Sequence, residues 1–556
     1  MKSSAVAPLL VVVAAGTAFG QFDPNAQWAG FKNDAAKRGS RFVEAGPAMH
    51  LAWGNEDLPT PGIAAISIDA EGFLYYVTEI APSEAVDDQG NPIPGGENYV
   101  IKIDPETGAE VARSPNLGGG AGSYSGLSIG VDAFYYTRSQ SGDPAFPNAV
   151  LKLDKNDLSI IAELPIPNVP DSSGAGGADA EPSVRGEPLL GSVPNAAGNV
   201  NMYVFDRAQN RMLALDSVTG ALRGVGEPAP GVAATYYGRI GPLVTLPNGD
   251  QGIFYAGNAG TSPNQATMFR DTGALSNAVD FVWDAPVTSF NWWGSGALSN
   301  DGTRIYLTTF NDNEQSSLWA INVSNGSVAW SVPGLKFTED ELNFFSRPSV
   351  FAGRVYAVGG FGVITAFADL GSTYEQLWEY RDGIGEFTAV AVGGVPDGSG
   401  GFTRYIYATR QGDWATGYDP ETGVYTDPAE LVVLRDDGDT YTEMFRTTLD
   451  GTLVPTRNGS ASPALDAEGN LYVAGGSPVN TVIIDGHRPG QLFKFSVESE
   501  ETCPADFDGN ETVNVNDLLG FLGAFRTQDA SADFDGNGNI NVNDLLGFLG
   551  AFRTGC

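Results

Sequence analysis

Two stretches near the end of the chain place oxygen-bearing side chains at the same intervals. Positions 1, 3, 5, 9 and 12 are Asp506, Asp508, Asn510, Asn514 and Asp517 in the first stretch, and Asp533, Asp535, Asn537, Asn541 and Asp544 in the second. The residues at position 7, Thr512 and Asn539, offer a backbone carbonyl. Calcium takes about six to eight oxygen ligands from loops with this spacing. The sequence therefore predicts two calcium sites.

The two loops differ at position 6, where the backbone turns sharply. The second loop has Gly538 there, whereas the first has Glu511. A side chain in the left-handed conformation costs about 1–2 kcal/mol. We therefore expect the first loop to bind calcium more weakly than the second.

Each loop leads into the same apolar pattern. Residues Asn514 to Thr527 recur unchanged at Asn541 to Thr554. Apolar residues fall at i, i+3, i+4 and i+7, which is one face of a helix: Leu518, Phe521, Leu522 and Phe525, then Leu545, Phe548, Leu549 and Phe552. Each copy also holds two helix-weakening glycines, Gly520 and Gly523, then Gly547 and Gly550. Close approach of another surface and tight packing between the two helices both explain them.

A loop followed by a helix, written twice and with Asp at position 12, resembles a type I dockerin over about residues 503–556. The resemblance implies that calcium is needed for folding and that the helices bind a cohesin-like domain on another protein, in two orientations. It implies contact residues at positions 10 and 11, which are Val515, Asn516, Val542 and Asn543. These differ from the Ser/Thr pairs of cellulosomal members, so the partner's identity stays open.

The chain's two cysteines, Cys503 and Cys556, bracket this module. In an oxidising compartment such placement favours one disulfide, which would stabilise the module by about 4 kcal/mol on the chain-entropy model. Two separate thiols are the alternative.

The chain begins with the order of a secretory signal peptide. A lysine precedes an apolar run from Ala5 to Ala15, and small residues follow up to Gly20. The run is shorter than the roughly 20 residues that span a bilayer. We interpret residues 1–20 as a cleaved signal peptide and expect a secreted or cell-surface protein without membrane insertion.

Composition and charge narrow the class of partner. The 556 residues carry 30 Lys and Arg against 67 Asp and Glu, a net charge of −37. The electrostatic field of such a negative charge repels nucleic acid and attracts cations. With 42% hydrophobic residues, 72 glycines and 34 prolines, the chain is typical of a globular protein rich in turns.

Residues 64–498 repeat short strands joined by Asp/Asn–Gly turns, as in Tyr99–Ala112 and Met212–Gly224. Two hairpins recurring every 40 to 60 residues predict a mainly β fold, a β-propeller of seven or eight four-stranded blades; tandem β-sandwiches are the alternative. The candidate blades are 64–113, 124–165, 187–225, 241–285, 297–334, 346–382, 388–449 and 460–498. Residues 21–63 would pack on the propeller or add a closing strand, and residues 499–502 would link it to the module.

One repeat, Leu318–Val332, resembles the blade-closing motif of PQQ-like propellers, with its Trp at Trp330 and a second at Trp378. That family includes quinoprotein dehydrogenases and outer-membrane assembly scaffolds. The resemblance implies the fold and leaves the function open.

Several chemistries are excluded or disfavoured. The only histidines are His50 and His487, and no CxxC pair exists, which excludes the common zinc and haem motifs. The adjacent-cysteine disulfide of some quinoprotein dehydrogenases is missing, which argues against PQQ. A carboxylate pair for glycoside hydrolysis stays open, because its separation is a three-dimensional quantity.

The loops and aromatic clusters suggest where a ligand would bind the propeller. Gly- and Pro-rich stretches predict long loops on one rim: 85–98, 167–183 and 395–401. Trp292, Trp293 and Trp414 fit either a binding platform or blade packing. We expect a non-enzymatic binding or scaffold propeller, with a protein or glycan ligand on its rim, docked by a dockerin-like module. A polysaccharide-active or quinoprotein-type enzyme is the alternative.

Overall fold

The computed structural model describes residues 22–28, 39–43, 49–59, 66–78, 98–118, 127–138, 146–169, 182, 184, 186–206, 211–227, 239–257, 265–287, 296–310, 315–336, 348–359, 363–382, 387, 390–410, 418–419, 424–425, 429–449, 463–476, 489–497, 505–507, 513–534 and 539–554. The contacts separate a large unit, which contains Met1–Pro47 and Leu51–Phe495, from a small unit, which contains Ala48–His50 and Ser496–Cys556.

The large unit is a β-propeller of eight four-stranded blades, which confirms the predicted fold and decides the blade number. Two strands precede the first blade, β1 (Ser40–Phe42) and β2 (Met49–Pro59). Blade 1 contains β3 (Ser67–Ile68), β4 (Leu74–Val77), β5 (Val100–Ile103) and β6 (Glu110–Arg113). Blade 2 contains β7 (Leu127–Ile129), β8 (Phe134–Arg138), β9 (Ala149–Leu153) and β10 (Ile160–Pro165). Blade 3 contains β11 (Leu189–Pro194), β12 (Val200–Asp206), β13 (Arg211–Asp216) and β14 (Leu222–Gly226).

The next three blades repeat the order. Blade 4 contains β15 (Arg239–Thr245), β16 (Gln251–Gly257), β17 (Gln265–Asp271) and β18 (Val279–Asp284). Blade 5 contains β19 (Ala297–Leu298), β20 (Arg304–Phe310), β21 (Gln315–Asn322) and β22 (Val328–Lys336). Blade 6 contains β23 (Ser349–Phe351), β24 (Arg354–Gly359), β25 (Val363–Asp369) and β26 (Tyr374–Arg381).

The last two blades also take strands from the N-terminal part. Blade 7 contains β27 (Ala391–Pro396), β28 (Phe402–Arg410), β31 (Ala429–Asp436) and β32 (Tyr441–Leu449), with β1 as a fifth strand beside β27. A small hairpin, β29 (Tyr418–Asp419) and β30 (Val424–Tyr425), lies between β28 and β31 in the chain. Blade 8 contains β33 (Ala464–Leu465), β34 (Leu471–Gly476) and β35 (Pro489–Val497), and β2 supplies its fourth strand.

Burial shows which edge of each blade faces the centre of the ring. The first strand of blade 1, β3, is buried throughout, whereas its fourth strand, β6, is largely exposed. The first strands therefore form the inner edges and the fourth strands the outer edges. Apolar side chains between neighbouring blades build the core, as where Tyr75 and Val77 of blade 1 pack with Phe134 and Leu151 of blade 2.

Short turns between strands follow the chemistry expected of Asp and Gly. In blade 3, Asp216 Oδ1 accepts hydrogen bonds from the backbone N–H groups of Val218 (3.1 Å) and Thr219 (2.9 Å). Gly220 follows with φ of 70°, a conformation that favours glycine. The same turn recurs at Asp104–Gly108 in blade 1. The side chain and the glycine together set the register of each hairpin.

Tryptophans on outer strands join neighbouring blades. Nε1 of Trp330 donates to Asp369 Oδ1 at 3.0 Å, and Nε1 of Trp378 donates to Asp436 Oδ1 at 3.1 Å, each across a blade boundary. Trp53 and Trp283, which the sequence pattern does not single out, donate in the same way to the backbone carbonyls of Pro105 and Val323 in the next blade. Trp283 also covers Gly326 so closely that a Cβ there would lie 2.6 Å from its ring.

The predicted long loops fall largely outside the described residues: 85–97, 170–181 and 183 are not described, whereas 395–401 are. Residues 395–401 join β27 to β28, the first and second strands of blade 7, whereas residues 85–98 join β4 to β5, the second and third strands of blade 1. Consecutive strands of these blades are antiparallel. One connection therefore follows a first strand and the other a second strand of its blade.

The small unit contains two helices, α1 (Val515–Thr527) and α2 (Val542–Thr554), and a 3-10 turn at Ala530–Ala532. None of the helices in the described part of the chain is long and apolar enough to cross a bilayer.

Candidate functional site

The position-12 carboxylate of the second predicted calcium loop ties the two ends of that loop together. Asp544 is fully buried; its Oδ2 accepts from the backbone N–H of Asn541 at 2.7 Å, and its Oδ1 accepts from that of Phe534 at 2.9 Å. Phe534 follows Asp533, the residue at position 1. The carboxylate at position 12 is thereby held next to the beginning of its own loop.

The first loop repeats this arrangement at its helix. Asp517 is fully buried and its Oδ2 accepts from the N–H of Asn514 at 2.8 Å, while Asn514 Oδ1 accepts from the N–H of Asn516 at 2.9 Å. These bonds form a capping box at the start of α1. Residues at positions 9 and 12 are thus fixed by the helix that follows them.

Several predicted ligands lie outside the described residues: Asp508, Asn510, Thr512, Asp535 and Asn537, together with Glu511 and Gly538 at position 6. Asp506, Asp533 and Asn539 are described, and the carbonyl of Asn539 accepts from Asn541 Nδ2 at 2.9 Å. Among the described residues, the candidate metal-ligand atoms are oxygens of Asp and Asn side chains and of the backbone. This donor chemistry fits calcium, whose ligands are all oxygens.

A symmetric aromatic core holds the two loop–helix units together. Phe521 of α1 stacks on Phe548 of α2, with centroids 4.0 Å apart. Each ring also meets Phe507 and Phe534, the residues at position 2 of the two loops, edge to face. The four contacts have interplanar angles between 85° and 89°. Position 2 of each loop is therefore part of the core that joins α1 to α2.

The helix glycines divide into two classes. A Cβ on Gly520 would lie 3.0 Å from Phe507, and one on Gly547 would lie 2.8 Å from Phe534. A Cβ on Gly523 or Gly550 would meet nothing within 4 Å. The first class makes room for the loop phenylalanine, and the second faces open space. Packing between the two helices, one of the two explanations drawn from the sequence, accounts for neither class.

Each helix carries an exposed apolar strip, defined as Val515, Leu519 and Leu522 on α1 and Val542, Leu546 and Leu549 on α2. The side chains in each strip are 60%, 62% and 39% exposed, with the same values in both copies. The predicted contact residues Val515 and Val542 belong to these strips, and Asn516 and Asn543 are exposed beside them. Leu522 and Leu549 were expected on the buried face. They lie in the strips instead, whereas Leu518, Phe525, Leu545 and Phe552 pack around the buried Phe521 and Phe548.

The other candidate residues are one histidine on β2 and six residues outside the described part of the chain. His50 is exposed on β2, while His487, Trp292, Trp293, Trp414, Cys503 and Cys556 fall outside the described residues.

Buried carboxylates of the propeller make contacts between blades. Asp271, Asp369 and Asp436 each accept a hydrogen bond from a tyrosine of the preceding blade: Tyr203 at 2.7 Å, Tyr306 at 2.6 Å and Tyr356 at 2.7 Å. Burial, reinforced by the neighbouring aspartate, raises the pKa of Tyr203 and Tyr356 well above the usual range, so both stay protonated donors. These carboxylates act as structural acceptors.

Comparison with known proteins shows similarity at the level of solved structures. No protein-family model and no curated protein matches the chain. A europium-containing methanol dehydrogenase is 11% identical with a TM-score of 0.47, over 85% of this chain and 98% of that one. The Dos1 propeller is 9% identical with a TM-score of 0.47, over 81% and 96%.

A third similar structure is the quinohemoprotein alcohol dehydrogenase from Comamonas testosteroni, which is 13% identical with a TM-score of 0.43 over 84% of this chain and 80% of that one. Similarity this distant carries no argument about activity. The propeller architecture rests on the strand pairing of this chain itself.

Proposed function

We propose that this protein is a secreted β-propeller, of binding or scaffold type, that attaches to a protein partner through its calcium-dependent C-terminal module. The exposed apolar strips of α1 and α2 carry the proposal. Solvent exposure of three aliphatic side chains per helix is costly for an isolated module, and covering them with another protein removes that cost.

The surroundings of the strips support a protein partner rather than a small molecule. Gly523 and Gly550 leave room for close approach to the helices. Arg526 and Arg553 are exposed in the last turn of each helix, where they favour a partner with carboxylates beside an apolar patch. These features agree with the cohesin-like partner that the dockerin resemblance implies.

Calcium has a defined place in this proposal. Asp506, Asn514 and Asp517 in the first loop, and Asp533, Asn541 and Asp544 in the second, would hold the ion with their oxygens. A bound calcium ion would offset two of the three negative charges that the carboxylates at positions 1, 3 and 12 give each loop. It would thereby stabilise the turn that places the loop phenylalanine against the helix glycine.

Calorimetric titration with calcium tests the metal sites. We expect two ions per chain, and we expect Asp544→Ala to remove the tighter site and Asp517→Ala the weaker one. Asp157→Ala, in an exposed propeller turn, is the matched control and should leave both sites intact. Binding stoichiometry that does not change in either loop variant would refute the assignment.

Docking is tested with a panel of purified cohesin domains at saturating calcium. We expect binding that survives Leu519→Asp or Leu546→Asp alone, because the second strip remains, and that is lost in the double variant. Leu370→Asp replaces a leucine with similar exposure on the propeller and should not affect binding. If the double variant binds as tightly as the unmodified chain, or no panel member binds the calcium-loaded protein, the docking proposal fails.

Secretion is tested on the protein recovered from the culture medium. Its N-terminal sequence should begin at Gln21. Retention inside the cell with residues 1–20 still attached would contradict this part of the proposal.

A further inference from the structure

The propeller is lined on part of its inner side by its own N-terminal segment. We call residues 22–28 and 40–42 the inner strap. They pair with the first strands of three blades, which are the edges facing the centre of the ring. The ring is closed elsewhere, by β2 at the outer edge of blade 8. The inner strap is therefore not needed to complete any four-stranded blade.

The first half of the inner strap is bound to blades 1 and 2. Trp28 forms an antiparallel bridge with Ile68 of β3, with N–H to carbonyl distances of 2.9 Å and 2.8 Å in the two directions. Trp28 is fully buried. Phe22 bridges Gly130 at the end of β7, and Asp23 accepts a 2.6 Å hydrogen bond from Lys155. Phe22 and Trp28 thus hold the two ends of this stretch, and the Asp23–Lys155 ion pair lies between them.

The second half of the inner strap is bound to blade 7. β1 pairs in parallel with β27, with Ser40, Arg41 and Phe42 opposite Val392, Gly393 and Gly394. All the other strand pairs with a described register are antiparallel. Ser40 Oγ also donates to the carbonyl of Val350 in blade 6 at 2.5 Å. The ring of Phe42 lies 4.7 Å from that of Phe351.

Polar contacts join the two halves across blade 8. Gln27 Oε1 accepts from the N–H of Ala467 in blade 8 at 2.7 Å, while its Nε2 donates to the carbonyl of Ala70 in blade 1 at 3.5 Å. Arg41 donates to the carbonyl of Gln27. Burial lowers the pKa of Arg41, and the nearby carboxylates of Asp466 and Glu468 in blade 8 partly oppose that effect. The seam between the last and the first blade is bridged from inside.

An extended segment that adds to the free edge of a complete sheet is bound as a peptide ligand is bound in β-augmentation. Backbone hydrogen bonds supply affinity, and pockets for alternate side chains supply selectivity. The inner strap has both components: β1 pairs along the edge of blade 7, single bridges join Trp28 and Phe22 to blades 1 and 2, and the buried Trp28 lies beside a Gln27 side chain that bonds to blades 8 and 1.

We propose that the inner edges of blades 7, 1 and 2 form a binding site for a polypeptide segment, extended along blade 7 and held by aromatic anchors at blades 1 and 2, which the inner strap occupies in cis. The ligand is a peptide in which a glutamine directly precedes an aromatic residue. Closer to its C-terminus the peptide carries a basic residue between a serine and a phenylalanine. The site belongs to the propeller alone and does not depend on the C-terminal module.

The test cuts the covalent connection between the inner strap and the blades, so that only non-covalent contacts hold the strap in place. A protease recognition sequence is inserted between Val43 and Met49 of the full chain, and the protein is cut under native conditions. We expect the N-terminal fragment to co-elute with the propeller in size exclusion. After mild denaturant removes it, a labelled synthetic peptide of residues 21–43 should rebind and be displaced by unlabelled peptide.

Two peptide variants make the result specific. Trp28→Ala should weaken rebinding by at least about 100-fold, as expected for loss of a buried tryptophan. Asn25→Ala changes an exposed side chain of the same segment and should bind as the unmodified peptide does. Immediate release of the fragment with an unchanged melting temperature, or equal binding of the two variants, would overturn the proposal.

Hydrogen exchange in the uncut chain provides a second test, which applies even if the propeller unfolds after the inner strap is removed. In the uncut chain, Trp28→Ala should accelerate exchange of the Ile68 and Ala467 amides, which donate to the strap, by at least about tenfold. The Tyr472 amide of blade 8, which lies in the central strand β34, is the internal control. Equal exchange at Ile68 in the Trp28→Ala and Asn25→Ala chains would show that the segment is not bound as a ligand.

Discussion

Phe521 and Phe548 stack face to face across the small module, with ring centroids 4.0 Å apart and planes inclined by 4°. The two rings occupy the same position in the two copies of the repeat, and both are fully buried. The duplicated sequence therefore contributes two equivalent residues to the core, and each ring packs against the other. This relationship makes the two halves of the module mutually dependent.

Truncation of either ring should destabilise the module to the same extent. Phe521→Ala and Phe548→Ala each remove a fully buried phenylalanine, for which a loss of about 3–5 kcal/mol is expected. Hydrogen exchange of the α1 and α2 amides in the full chain measures the loss. Phe525→Ala, which removes a partly buried ring of the same helix, should cost less. Unfolding of only the helix that carries the substitution would contradict the mutual dependence.

The helix glycines offer a matched pair for which opposite signs are expected. Gly523→Ala adds a methyl group in open space and should stabilise α1 by about 0.5–1 kcal/mol, since alanine is the better helix former. Gly520→Ala makes the same change in the same helix but places Cβ 3.0 Å from Phe507. It should be neutral or destabilising. Thermal unfolding of both variants gives the comparison, and equal stabilisation would show that Phe507 yields without cost.

The contact between Trp283 and Gly326 predicts a difference between two glycines with the same backbone conformation. Gly326 and Gly302 have φ of 71° and 72°, so alanine costs the same backbone strain at both. A Cβ at Gly326 would lie 2.6 Å from the Trp283 ring, whereas at Gly302 it would meet nothing within 4 Å.

Gly326→Ala should therefore lower the free energy of unfolding by about 1–3 kcal/mol more than Gly302→Ala. Chemical denaturation of the propeller measures both variants. Similar values would mean that the tryptophan moves aside and that its packing against the turn contributes little.

Asp216 should make the propeller sensitive to acid. Burial disfavours its charge, but hydrogen bonds from Arg223, the Thr219 amide and two asparagine side chains outweigh burial and hold the pKa of the carboxyl well below its usual range. The unfolded chain has a pKa of about 3.9. The unfolded state therefore binds more protons between the two values, so this stabilisation is complete above about pH 5 and is lost as pH falls through the folded pKa.

Asp216→Asn should flatten the acid side of the stability profile while lowering stability near neutral pH. Melting temperatures recorded from pH 2 to 7 check the slope. Asp439→Asn, at an exposed turn in blade 7, is the control and should leave the profile nearly unchanged. A slope that is identical in the Asp216→Asn variant would mean that another carboxylate dominates.

Local patterns were enough to predict the blades, because each hairpin is set by residues close together in the chain. The turn of Asp216 and Gly220 is an example: side chain, backbone and glycine lie within five residues. The candidate blade boundaries and the strands of the structure agree to within a few residues. Trp330 was recognised for the same reason, since its motif surrounds it.

Contacts between distant parts of the chain could not be predicted in this way. Nothing near Trp53 or Trp283 indicates that each covers a turn of the next blade. The pairing of Trp28 with Ile68 likewise depends on where the ring brings the N-terminal segment. In the module, helical periodicity assigned Leu522 to the buried face, but the Phe521–Phe548 stack decides how wide that face is.

The bond between the Gln27 side chain and the Ala467 amide joins residues 440 positions apart in sequence. Together with β2 in blade 8, it makes the contact order of the ring's seam far higher than that of any single blade. Folding rate falls as contacts become less local. Seven blades can therefore form their hairpins during or soon after synthesis, while the seam waits for the last strand to emerge. We expect the slowest folding phase to report on blade 8, and the unpaired β2 to be the segment most exposed to aggregation or chaperones until then.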